Sequence, residues 1–151
     1  MMLALLLVSC SLTSMMPDSH HYHHYLFGAY ASATGDHPLA ERSFDIVFGH
    51  NGPHYAYEGL MQHFNRSGQF HKIITFIPNI EKHGALSIAT QHLYAQALEH
   101  EGHTLQASTL FAKLAQEKPT DAEIMYHAVT TSVAAKNIDQ AMKLIETYLS
   151  H

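Results

Sequence analysis

Gly68, Gly102 and Lys136 stand 34 residues apart, and the apolar residues around them recur in step. A period of this length belongs to a helix–turn–helix unit, which cannot bury its own apolar face and has to stack on a copy of itself. Leu60, Tyr94 and Ala128 share one phase, and Phe64, Leu98 and Ser132 share a second. After the turn come Ile73, Ala107 and Ala141, then Ile77, Phe111 and Ile145, then Ile80, Leu114 and Tyr148. Four of these five sets are apolar in all three copies. With 46% of the chain hydrophobic, one such set arises by chance about one time in ten, so four together mark a repeat.

Helical spacing holds inside each copy. Leu98 lies four residues after Tyr94, and Leu110, Phe111 and Leu114 form one stripe after the turn. Glycine at 68 and 102 suits a helix C-terminal turn that needs a left-handed backbone. Ala107 and Ala141 offer a small contact point for a close helix approach. Pro119 ends one helix, and Thr120 or Asp121 can cap the next. There is no clear strand or hairpin signal, so the chain is predicted to be all-α.

These residues resemble the tetratricopeptide repeat. The clearest copy spans residues 94–119, where Gly102, Ala107, Phe111 and Pro119 stand at that family's signature offsets. The next keeps Ile138, Ala141, Ile145 and Tyr148 but has Lys136 at the turn. The preceding copy keeps Leu60, Phe64, Gly68 and Phe70, with Ile73 where the family has a small residue. Its Pro78 is expected to kink or shorten the second helix. A fourth copy upstream has slipped by one residue: Phe27-Gly28 matches the large–small pair of a first helix, and Gly35-Asp36, Ala40, Phe44 and Val47 match the second. The resemblance covers residues 21–150 and implies an α-solenoid of about four antiparallel helix pairs. The repeats fall near 21–53, 54–87, 88–121 and 122–151, together a domain of residues 20–151.

Residues 1–19 read as a leader and tether. The apolar stretch from Leu3 to Val8 runs into Ser9-Cys10, which resembles the lipobox of bacterial lipoproteins, where an acylated cysteine becomes the mature N-terminus. Cys10 is the only cysteine, so no disulfide framework competes for it. Ser11 after it fits the pattern that allows sorting to an outer membrane. No Lys or Arg precedes Leu3, and the apolar core is short for a leader. An ordinary signal peptide, or an apolar segment packed on the first repeat with Cys10 buried, therefore stay open. The lipoprotein reading implies a membrane-anchored, extracytoplasmic protein of the bacterial periplasm or outer membrane, held by more than one acyl chain.

Charged residues make up only 14% of the chain, and the net charge is −5 with neutral histidines. No basic run exists, so a nucleic-acid footprint is absent. No window is long and apolar enough for a spanning helix. Fifteen histidines are unusual for this length. Full protonation near pH ~6.5 would carry the net charge from −5 to +10. On a helix His20 and His24 share a face and could chelate a divalent metal, with His21 and His23 beside them. His50 and His54 flank Gly52-Pro53 and are expected in a loop. His100-Glu101-Gly102-His103 has the wrong spacing for a zinc-protease motif and falls at a turn. The plainer reading of these histidines is a solvated polar face in a lysine-poor chain.

In the tetratricopeptide family the first helix of each repeat lines a concave groove. The resemblance implies that Tyr22, Tyr25 and Ala29 face it, then Tyr55, Glu58, Gln62, Asn65 and Arg66. His92, Gln96, Glu99 and His100 follow, and last Glu123, Tyr126 and Thr130. Tyrosines anchor interfaces well because they are apolar with a polar tip, though each could equally be core, Tyr94 above all. A clamp for an acidic C-terminus is not expected, since these helices carry Arg66 and Asn65 but no lysine. No nucleophile elbow, phosphate loop or paired-carboxylate pattern is present. The expectation is a non-enzymatic scaffold without cofactors, binding a peptide or protein as an accessory to an envelope complex. Two alternatives are a histidine-rich metal-binding periplasmic protein and a structural oligomer joined through the last helix, residues 138–149, whose apolar flank needs a cover.

Overall fold

The computed structural model of the chain describes residues 19–48, 54–82 and 84–151. Cys10 and His50, and the side chains of His20, His21 and Tyr55, lie outside the described residues. Within them are eight α-helices and no strand. They are α1 (Ser19–Thr34), α2 (His37–Phe48), α3 (His54–Arg66), α4 (Phe70–Glu81), α5 (Ile88–His100), α6 (Thr104–Glu117), α7 (Ala122–Ala134) and α8 (Ile138–Leu149). The chain forms two compact units, residues 1–63 and 64–151, with the boundary inside α3.

The sequence period reappears as turn geometry. Gly35, Gly68, Gly102 and Lys136 all have positive φ, at 81°, 69°, 79° and 62°. At each, the next amide reaches back to the last turn of the helix: Asp36 N–H to Ala31 C=O (2.9 Å), Gln69 to Phe64 (2.8 Å), His103 to Leu98 (2.8 Å), Asn137 to Ser132 (2.9 Å). These bonds satisfy carbonyls that the helix end leaves open, and they require the left-handed residue between. Lys136 therefore does at its turn what glycine does at the other three. The helices that follow are also in register. Ala40, Ile73, Ala107 and Ala141 are each the fourth residue of α2, α4, α6 and α8, and each is buried.

Helix starts are capped where the sequence supplies a short polar side chain. The Asp121 carboxylate accepts from the Glu123 and Ile124 amides at 3.1 and 3.2 Å. The Ser87 hydroxyl accepts from Thr90 N–H (3.1 Å), and the Asp36 carboxylate from Leu39 N–H (3.2 Å). Two expectations need correction. Pro78 does not shorten its helix: α4 runs on to Glu81 and has the same 12 residues as α2 and α8. Proline falls in the last turn, where a single amide is lost and little helix remains to disturb. His54 is not in a loop but opens α3.

In the first unit α1 packs on α2. The fully buried Phe44 ring sits between two glycines: a Cβ on Gly28 would meet it at 3.0 Å, and one on Gly59 at 3.1 Å. The small member of the Phe27-Gly28 pair thus makes room for Phe44. Its large member points outward, with Phe27 56% exposed. The His63 Nδ1 is 3.0 Å from the Ser32 hydroxyl, linking α1 and α3 inside this unit.

In the second unit each helix from α4 to α8 packs on its sequence neighbour. Ala95, Leu98, Phe111, Leu114, Met125 and Ala128 lie at the centre of the core, and half-buried Tyr94 packs against it. The polar member of the repeat pattern, Ser132, is fully buried and bonded, donating to Ala128 C=O (2.7 Å) and lying 3.1 Å from the Ser108 hydroxyl. The apolar pattern fails to predict burial in α8, where Ile145 and Tyr148 are exposed.

Candidate functional site

A grouping of polar and aromatic side chains in the second unit lies where α5 meets α7. Helix α5 supplies His92 and Glu99, seven residues or about two turns apart and so on one face. Helix α7 supplies Glu123, Tyr126 and His127, and Glu123 and His127 share a face at i,i+4 spacing. The His127 Nδ1 lies 2.9 Å from a Glu99 oxygen. Since a carboxylate only accepts, this nitrogen carries the proton and donates. His92 Nε2 lies 3.9 Å from Glu123, too far for a hydrogen bond. Two His–Glu pairs thus run across from α5 to α7.

Aromatic contacts fix the imidazoles. His127 stacks on the core ring of Phe111 at 5.0 Å and 12°. His92 meets Phe111 edge-on at 5.8 Å and lies 6.2 Å from His127. Tyr126 stands edge-on to His127 at 5.4 Å, with its ring largely in solvent. Burial pushes the His92 imidazole below the ordinary histidine range; Glu123 and Asp121 pull the other way, and His127 adds to the lowering. Near neutral pH His92 is therefore uncharged, and its Nε2 is buried with no hydrogen-bond partner.

Neither α5 nor α7 contains a lysine or arginine. The surface they form presents two carboxylates, of which Glu123 is the more open, with the exposed Tyr126 ring beside them. Such a set suits hydrogen-bond donors and cations. Among the described residues no three His, Cys, Asp or Glu side chains are grouped to hold a metal ion.

Of the groove residues expected from sequence, His92, Glu99, Glu123 and Tyr126 come together here, with Gln96 half-buried on the same helix. His100 does not join them. Although next to Glu99 in sequence, it stacks flat on Phe70 at 4.0 Å. Thr130 is occupied with the Tyr126 and His127 carbonyls at 2.9 and 3.2 Å. In the first unit Tyr22 is exposed, whereas Tyr25 and Ala29 are half-buried, Tyr25 edge-on to Phe44 at 6.2 Å. Glu58 and Asn65 are half-buried, and Gln62 and Arg66 are exposed. His24 is half-buried. His127 escaped the sequence reading, which took one phase of each first helix and passed over its neighbour. The signal was its position four residues after Glu123.

Comparison with protein-family models, with curated proteins and with solved structures finds no match to this chain.

Proposed function

We propose that the chain is a non-enzymatic interaction scaffold of the tetratricopeptide type. In this reading its eight helices form an α-solenoid of about four antiparallel pairs. The first helices of the pairs present a groove to a peptide or protein segment. The recurring positive-φ turns and the buried fourth residue of α2, α4, α6 and α8 support the repeat. One observation carries the binding surface: the cross-helix arrangement of His92 and Glu99 with Glu123, Tyr126 and His127. Two carboxylates on helices that themselves carry no lysine or arginine favour a partner segment that carries Lys, Arg or free amide donors.

The lipobox-like Leu7-Val8-Ser9-Cys10 places this scaffold, in the same reading, on a membrane outside the cytoplasm, accessory to an envelope complex. Two experiments test the proposal. Cross-linking and pull-down from a native membrane extract compare the wild type with a Glu123→Lys/Tyr126→Ala variant. A partner retained equally by both rules out this surface. The intact mass of the protein purified from membranes should show an acylated N-terminal Cys10; an unmodified residue 1 removes the tether.

A further inference from the structure

Positions that are equivalent in the repeat register differ in exposure on α8 and α1. Met142, Ile145, Tyr148 and Leu149 on α8 correspond, 34 residues earlier, to Ser108, Phe111, Leu114 and Ala115 on α6. Those four are buried, none more than 2% exposed, in the helix that packs against α7. Their α8 counterparts are between 41% and 79% exposed. The face that α6 buries under the following helix is therefore repeated on α8 and left open. With α7 it walls an apolar cleft of about 430 Å³, lined by Met125, Val129, Ile145, Tyr148 and Leu149 among others.

The same comparison at the other end singles out α1. Phe27 is in phase with Leu60, Tyr94 and Ala128, and Tyr30 with His63, Ala97 and Thr131. Of these later positions Tyr94 is half-buried and the other five are at most 1% exposed, but Phe27 and Tyr30 are 56% and 67% exposed. With Leu26 they form an apolar strip one helix face wide. Helix α1 contains no Asp, Glu, Lys or Arg, so no obligate charge resists desolvation against an apolar cleft.

We propose that the α8 face is a docking site for helix α1 of a second copy of this chain, so that copies associate head to tail. The occupant follows from continuity with the α6–α7 interface. One repeat on, among the described residues no helix covers α8 as α7 covers α6, and on α1 the stacking-phase residues Phe27 and Tyr30 are exposed. Unlike surfaces meet in such a contact, so it is heterologous: each added copy exposes a new α8 face, and growth does not stop at two.

Sedimentation velocity of the full chain over a rising concentration series tests this. The weight-average mass should climb past twice that of one chain. Two variants carry charge on exposed positions: Phe27→Glu/Tyr30→Glu blocks the α1 strip, and Ile145→Glu/Leu149→Glu blocks the α8 face. Circular dichroism checks that both stay helical. Each alone should be monomeric, and an equimolar mixture should form a 1:1 dimer and nothing larger, because one intact surface of each kind remains. A wild type that stays monomeric overturns the proposal. So does association lost with the α8 variant and retained with the α1 variant, which would mean symmetric α8–α8 pairing. A mixture that fails to dimerise also overturns it.

Discussion

Lys136 holds a left-handed backbone, φ 62°, at a turn where the three equivalent positions are glycine. An L side chain there places Cβ against the following carbonyl, a strain glycine avoids. Lys136→Gly should therefore raise stability by ~1 kcal/mol, and Gly102→Ala should lower it by a similar amount. A Cβ on Gly102 would meet nothing within 4 Å, so the second effect is purely one of backbone conformation. Urea denaturation with unchanged slope measures both. His92 makes a different prediction. Its folded-state pKa lies below the ordinary value, so between the two the unfolded chain binds more protons than the folded one. Its neutral form carries no such penalty above pH ~6.5; stability then falls as pH drops through that value toward the folded pKa. In His92→Gln the loss of thermal stability between about pH 7.5 and about pH 5.5 should be smaller than in the wild type. An identical loss would place the acid sensitivity on other histidines.

At the scale of the element, equivalent sequence positions stop being equivalent. Phe111 and Ile145 share a phase, yet one is fully buried between α5 and α7 and the other is 45% exposed on α8. Phe111→Ala should cost ~3–5 kcal/mol, as removal of a core ring does. Ile145→Ala should cost about 0.5 kcal/mol or less, as at a surface site. Chemical denaturation of the two variants side by side checks the contrast, and comparable losses would mean α8 is covered in solution. Pro78 shows the same lesson inside one helix. The residue forbids an amide bond wherever it stands, but its place in the last turn of α4 decides that the helix survives.

Across the whole molecule, the helices and their turns were legible in the sequence because they rest on local rules. Period, left-handed turn residues and short polar caps act over a few residues and need no distant partner. The first helices of the third and fourth copies were legible as candidates for binding for the same reason: helical phase alone puts His92 and Glu99 on one face, and Glu123 with its neighbour one turn on. Which members of that set would meet was not legible. His100 shares a helix with His92 but is taken by Phe70, and His127 entered the site through a bond to a residue 28 positions away.

The sequence by itself determined that this chain is helical, where its helices turn, and which residue of each second helix faces inward, because hydrogen bonding and side-chain spacing along one strand of backbone settle those things. Only the tertiary structure decided that His92 is held neutral, that His127 and Glu99 pair, and that Gly28 and Gly59 bracket Phe44. Each of these depends on what another helix brings into contact, and desolvation and packing exist only once surfaces meet.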